Sequence, residues 1–566
     1  MRLLLKQYLS SLNERDQLDV ILPDFLSESG FKVIYRPQRG HTEAGVDVAA
    51  IGDDPETGNK TLFLLSIKSG DLTRAEWNSG VQALKPSLDE ILYIYIPNRI
   101  PKRYQNLPIK IALCFGGDIQ GTVSEGVNGY INAHTKRGEI EFAVWNGDYI
   151  VGLIAGGILR ESIFPKDLQS ELRKSLAFVD DASVCVTHFQ RVLHRLANQN
   201  FGDNKQRLTA VRQIYLILWN IYVWGREANN LEAAYLCGEQ SLLWVWDICK
   251  NKVGNNYSLA MDLKETLNKF VSLNHSIRED YIYLHIAPYS MHQDALAASV
   301  ASDFSLDVNL KLFDALGKTA MHGIWLVFFR SMYVKEENVD EASKFADEIY
   351  EIAMVMLNMI NHNPVYSSPI RDDHAIEITL AGLFLIYAGY HSSNPIWFGQ
   401  ITRSCQFSFV NGHRYPCVYR EYFELAIHPK DGDDYKREAT IGSILYPVLA
   451  IWSSLFNDEQ SLKSIADFKS KHMSHSTWQI WLPSSDTEEH LYRDSAPHGT
   501  VFDSLDFSQG TESLLEQVKS EIDANDSFLN LSIIDKGVWP MVLSACRLYR
   551  IPVPPQYWYI TASDNN

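Results

Sequence analysis

Cysteine is scarce in this chain of 566 residues: there are seven, an odd number, and no two form a C-x-x-C pair. Such scattering argues against a disulfide framework and fits reduced, buried thiols in a cytoplasm-like compartment. Long apolar runs are missing as well. The longest, TLAGLFLIYAGY (379–390) and MHGIWLVFFRSMYV (321–334), fall short of the roughly 18 to 20 residues a membrane span needs. They read as buried core helices, and no membrane contact is expected. The first residues, MRLLLKQYLSSLNERD, turn polar after a short apolar run and carry no small-residue cleavage site, so no secretory signal is expected. There is no G-x-x-x-x-G-K-[ST] loop, which argues against an ATPase motor. His472 and His475 in HMSH lack the glutamate of a zinc-protease helix. No fixed repeat establishes a solenoid.

What is present is ordinary globular composition, 46% hydrophobic and 21% charged. The length exceeds what one core supports, so roughly two to four domains are expected. The net charge of −18 is unevenly distributed. Residues 1–165 hold 17 Lys and Arg against 20 Asp and Glu, leaving 34 against 49 of the totals of 51 and 69 for residues 166–566. An acidic body repels phosphate backbones, so any nucleic acid is expected at the N-terminal part.

Residues 1–165 read as an α/β domain. A helix from about Asn13 to Glu28 stops at Gly30, an extended GFKVIYRPQ comes next, and GVDVAAIG (45–52) and TLFLLSIKS (61–69) flank the turn-rich DDPETGN. Thr73 and Glu76 form a capping box opening a helix to about Leu84. EILYIYIP (90–97), IKIALCFGG (109–117) and IEFAVWN (140–146) read as further strands, with a short helix near Tyr149–Ile158 and one crossover in the sheet. From about Pro165 the pattern becomes amphipathic helices. Arg207–Trp224 and Leu231–Lys250 form a pair, and Asn338 opens another helix. The aromatic clusters WNIYVW, LLWVWDI and IWLVFF sit at helical spacing, as core packing requires. Residues 472–510 read as a long irregular connection, possible subdomains lying on either side.

On a strand, Ser66 and Lys68 point the same way. If the 53–60 hairpin pairs that strand with GVDV, Asp47 comes close to both. A carboxylate and a lysine on central strands are costly to bury unless paired or hydrated. Phosphodiester hydrolysis gives both a purpose, since carboxylates hold a hard divalent cation and a lysine orients or activates the attacking water.

Strand-Asp-hairpin-strand-x-Lys after a helix ending in Gly-Phe resembles the PD-(D/E)xK restriction-endonuclease-like superfamily. GHTEAGVDV is similar to the segment found in its Mrr-type restriction enzymes and archaeal Holliday-junction resolvases. The resemblance covers residues 13–117. It implies a mixed central sheet flanked by helices, followed here by a large all-α region, and a Mg²⁺- or Mn²⁺-dependent endonuclease acting on DNA, RNA not being excluded. Asp47 would bind the metal and Lys68 would be the catalytic lysine. An acidic residue of the first helix often assists, which points to Asp19, with Asp16 as runner-up. The family expects an acidic residue or Gln two positions before the lysine. Here that position is Ser66, so Glu43 or Asp19 completes the metal site, or the domain binds nucleic acid without cutting it well.

Nucleases fused to large helical bodies resemble effectors of bacterial anti-phage defence. By that analogy the body would sense a trigger, self-associate or dock a partner protein. The rival expectation is a lapsed nuclease-like domain serving as a nucleic-acid-binding or assembly scaffold, or a body acting alone as a protein-interaction scaffold. Cys405, His413 and Cys417 offer only three of the four ligands of a zinc site, and His498-Gly499 in SAPHG (495–499) has no chemical reading.

Overall fold

The computed structural model describes residues 18–557 apart from 29, 37–43, 79–82, 158–165, 200, 202–203, 251–256 and 303. The chain divides into two compact units, 1–170 and 171–566.

The first unit is built on a five-stranded mixed sheet in the order β1 (Lys32–Tyr35), β2 (Val48–Asp53), β3 (Lys60–Lys68), β4 (Ile109–Phe115), β5 (Ile140–Trp145). The first three strands are antiparallel and the last three parallel. Helix α1 (Asp19–Glu28) precedes the sheet and packs on β1 and β2. The β2–β3 hairpin closes through Asp54, whose carboxylate accepts hydrogen bonds from Glu56 N and Thr57 Oγ1, while Gly58 takes a φ of +69°. The same carboxylate reaches across the sheet. Lys110, buried in β4, donates to Asp54 at 2.9 and 3.0 Å and to Glu56 at 2.6 Å. An unpaired ammonium there would cost several kcal/mol. The turn therefore serves as the counter-ion of a lysine 56 residues away.

Two findings correct the sequence reading of this unit. Residues 90–97 are not a strand. They belong to a helical run, α3, made of Leu84–Glu90, a π-helical turn Ile91–Tyr95, and Ile96–Arg99. Leu84, Leu88, Ile91 and Tyr95 are buried, whereas Tyr93 and Ile94 are 68% and 44% exposed. The buried spacing is that of a helix face, which an unbroken apolar run conceals. Of the helix expected from Thr73 to about Leu84, Arg74–Asn78 forms α2, and residues 79–82 lie outside the described ones. The second correction concerns the crossovers, of which the three parallel strands require two. The second is supplied by α4 (Gly121–His134), which hides three glycines in its sequence but buries Val123, Val127 and Tyr130 on one face. Helix α5 (Gly147–Gly157) comes after β5. Leu62, Leu64, Ile111, Leu113 and Phe115 share one core with α3 and α4.

From Lys166 onward the chain is predominantly helical: α6 (Lys166–Ala177), α7 (Ala182–Ala197), α8 (Asn204–Glu227), α9 (Glu232–Cys249), α10 (Tyr257–His285), α11 (Ser305–Lys335), α12 (Val339–His362), α13 (Ala375–Tyr387), α14 (Ser393–Asn411), α15 (Leu445–Leu455), α16 (Glu459–His472), α17 (Thr511–Asp523) and α18 (Pro540–Tyr549). The expected pair is α8 and α9, which pack together. Asn338 caps α12 by accepting from Glu341 N. The region is not wholly helical. Two-residue strands β6 (Gly442–Ser443) and β7 (Thr477–Trp478) pair, as do β8 (Ile480–Leu482) and β9 (Thr500–Phe502). Residues 472–510 thus contain strands, where an irregular connection was expected. Among the described residues no helix is long and apolar enough to cross a membrane.

The body's core carries charge. Lys318 is fully buried and pairs with Glu232 and, at 2.8 Å, with Asp314. Burial works against its charge, yet these carboxylates hold its pKa well above the usual lysine value. Arg547 pairs with Glu239 and with Asp314 at 3.0 Å. Arg550 pairs with Glu377 and Asp373.

Candidate functional site

The turn into β2 is fixed by sterics. Ala44 and Gly45 adopt positive φ values of 48° and 78°, and a Cβ on Gly45 would lie 2.0 Å from the carbonyl oxygen of Ser87 in α3. Only glycine permits that approach, which explains the Gly of GVDV physically. The turn delivers Asp47 to the end of β3. Its N–H donates to Leu65 O at 2.9 Å, and its Oδ2 accepts from Ile67 N at 2.6 Å. The carboxylate therefore takes the place of a strand carbonyl beside residues 66–68.

Ser66 and Lys68 alternate with Ile67 on β3, opposite Leu113 and Phe115 of β4. Both are buried, 1% and 4% exposed. Among the described residues the Ser66 hydroxyl has no hydrogen-bond partner. A buried hydroxyl left unpaired is rare, because its desolvation is uncompensated. Cys114, in register with Ile67, feels this carboxylate: burial first, then the charge of Asp47, pushes its thiol well above the ordinary range.

The remaining expected ligands are less well gathered. Asp19 is the half-buried first residue of α1. Glu43 and Asp16 lie outside the described residues. Among the described residues no three His, Cys, Asp or Glu side chains are grouped as a metal would require.

Sequence reading passed over two carboxylates beyond the strand ends. Asp71 comes three residues after Lys68 and accepts from Asp118 N at 2.9 Å, and Asn146 Nδ2 donates to Asp118 at 3.3 Å. They lie just after the carboxyl ends of β3, β4 and β5, where open α/β sheets place their ligands. The only sequence signal was the KSGD run.

Elsewhere the isolated motifs resolve into structure. Cys405 and Cys417 are buried; Cys417 Sγ lies against Ile370 O, and the His413 ring stacks on Phe407. His475 Nε2 is hydrogen-bonded to Thr440 Oγ1 at 2.9 Å. His498 presents its carbonyl to Trp481 Nε1 at 2.8 Å, and a Cβ on Gly499 would strike that indole at 2.3 Å. SAPHG is thus a turn locked under a tryptophan.

Comparison with known families, characterised proteins and solved structures gives no match to this chain.

Proposed function

We propose that the N-terminal unit is a metal-dependent nuclease of the PD-(D/E)xK type. Its substrate class is DNA, with RNA as the alternative. The observation that carries this reading is the Asp47 carboxylate held against the β3 backbone next to a buried lysine at that strand's end. The helix α1, the strand after Asp47, the hairpin and the strand ending at Lys68 follow in the order on which the resemblance rests. The donor set suits a hard cation: Asp47 supplies a carboxylate, and the unpartnered Ser66 hydroxyl lies at the adjoining strand position. Asp47, with Asp19 and Glu43 as further candidates, would hold Mg²⁺ or Mn²⁺. Such an ion supplies charge neutralisation at the scissile phosphate. Lys68 orients the attacking water, and its burial fixes the ammonium in place.

The helical body would regulate or assemble this nuclease, as in an anti-phage effector. Its 34 basic against 49 acidic residues disfavour phosphate binding. Nucleic acid would accordingly bind the N-terminal unit.

A second reading, nucleic-acid binding without cleavage, is favoured by one feature. Serine stands where the family's second acidic ligand is expected, and a hydroxyl is a weak ligand. The two readings separate at this position. If the site cuts, Ser66→Ala leaves cleavage of a plasmid or a single-stranded substrate within a few fold, and Ser66→Glu raises activity or Mn²⁺ affinity. Lys68→Met abolishes cutting while nucleic-acid binding by gel shift is unchanged. If the parent protein binds DNA and RNA but cuts neither over a full Mg²⁺ and Mn²⁺ titration, the second reading stands.

A further inference from the structure

The two ends of the N-terminal sheet differ in charge. At the carboxyl end of β3, β4 and β5, exposed Asp71, Asp118 and Asp148 stand against one exposed cation, Arg74, among the described residues. Whatever binds at Asp47, that end cannot hold a polyanion by its own charge. The opposite end begins where α3 stops. Residues 91–117 contain no Asp or Glu, and four cations. Arg99 closes α3, and Lys102 and Arg103 follow on a single 3₁₀ turn, Lys102–Tyr104, all three exposed. Among the described residues no carboxylate pairs with Lys102 or Arg103. Arg103 lies 4.6 Å over the Tyr104 ring, which packs on the core of the unit and so fixes the guanidinium at the surface.

The remaining charges at this end do not cancel theirs. Lys60 lies opposite Asp53 in the hairpin, and Lys110 is taken up by Asp54 and Glu56. The Glu139 carbonyl accepts from Ile109 N at 2.9 Å, which brings the turn into β5 beside the entry to β4. That turn adds exposed Lys136, Arg137 and Glu139, with half-buried Glu141. Five cations, Arg99, Lys102, Arg103, Lys136 and Arg137, thus stand against three carboxylate charges. Helix α3 joins this end to the Asp47 site. Ser87 in its first turn meets Gly45 of the turn that delivers Asp47, and Arg99 ends its last. The twelve residues from Ser87 to Arg99 cover about 18 Å, the length of about five base pairs of duplex. Between them the helix exposes Tyr93 and one carboxylate, Glu90, since Asp89 is half-buried and accepts from the Tyr130 hydroxyl.

We propose that Arg99, Lys102 and Arg103 anchor the phosphate backbone of duplex DNA that runs along α3 from the Asp47 site to this turn. The proposal rests on the nuclease reading above and adds where that site's substrate is held. Lysine and arginine contacts to phosphate fix position and supply affinity without reading bases. Binding is therefore independent of sequence and falls steeply with salt.

The test uses the full chain and a labelled 24-base-pair DNA duplex, with Ca²⁺ in place of Mg²⁺, and reads the dissociation constant by fluorescence anisotropy across a salt series. Lys102→Glu with Arg103→Glu should weaken binding by about tenfold or more and lower the slope of log affinity against log salt by about two. Lys102→Gln with Arg103→Gln, which removes charge without reversing it, should show the same change in slope with a smaller loss. Lys344→Glu with Lys519→Glu makes the same change in net charge on the helical body and should leave binding within about twofold. Circular dichroism checks that all the variants remain folded. Binding and cleavage then separate the two readings. If the parent binds through this turn but cuts no nucleic acid with any metal, the surface stands and the nuclease reading falls. If the parent cuts, and the reversed turn binds duplex as tightly as the parent does, the nuclease reading stands and this proposal is overturned. A parent protein that binds no duplex DNA even at low salt overturns it too, as does an equal loss on reversing Lys344 and Lys519.

Discussion

On the proposed nuclease reading, Asp47→Ala is expected to reduce metal-dependent phosphodiester cleavage by about a thousandfold or more, through loss of the carboxylate that would hold the cation. The substitution has a second effect that must be kept apart from the first. Asp47 accepts from Ile67 N at 2.6 Å, and its removal leaves a buried amide unsatisfied, at a cost of about 1–3 kcal/mol. Asp47→Asn separates the two. Its amide oxygen still accepts from Ile67 N, so thermal stability should change little, while the charge is lost and cleavage should fall as far as with alanine. Cleavage time courses with Mg²⁺ and Mn²⁺, beside melting curves for all three proteins, decide the matter. An asparagine variant that cuts at the parent rate removes Asp47 from the chemistry and leaves it a strand-end hydrogen-bond acceptor.

The largest effect on stability is expected in the helical body. Arg547 is 5% exposed and pairs with Glu239, itself 1% exposed, and with Asp314. Arg547→Ala strands the Glu239 carboxylate in the core, and breaking a buried pair from one side costs about 3–5 kcal/mol. Arg278 should behave in the opposite way. Its side chain is 1% exposed and lies 5.0 Å from the Trp325 ring, yet among the described residues no guanidinium nitrogen meets a hydrogen-bond acceptor in good geometry. Arg278→Met replaces a desolvated charge with a flexible apolar chain. It should be neutral or stabilising, because burial takes more from the Arg278 charge than Tyr235 and Glu239 return to it. Urea unfolding midpoints of the two variants, measured on the full chain, test the contrast. Equal destabilisation by both would mean that Glu239 and Tyr235 compensate the buried Arg278 charge in full.

The candidate site was legible as far as local pattern reaches. Asp47, the 53–60 turn and Lys68 lie within 22 residues of one another. An antiparallel hairpin converts that closeness in sequence into neighbouring strands, as the Val48↔Leu65 register shows. Gly45 was legible as a motif residue, but its reason, the carbonyl of Ser87, lies in a helix 42 residues on. Asp71 and Asp118 were overlooked because nothing local joins them. Their contact exists only once β3 and β4 are parallel neighbours.

By itself the sequence determined what depends on short-range periodicity and charge: the hairpin of β2 and β3, the strands β4 and β5, the largely helical character of the rest of the chain, and the acidity of residues 166–566. Period and turn chemistry are properties of a few consecutive residues, so they survive without the fold. Tertiary structure decided the rest. It made residues 90–97 helical, because Leu84, Leu88, Ile91 and Tyr95 had one core face to fill, and apolar runs of that length satisfy either period. It chose Asp54 as the partner of Lys110 and Glu239 as the partner of Arg547, pairs 56 and 308 residues apart. It left the Ser66 hydroxyl buried without a partner among the described residues. Desolvation is what makes these choices consequential: a charge or hydroxyl that water would satisfy in the open chain must find its partner in the fold, and that partner is set by topology, not by neighbours in sequence.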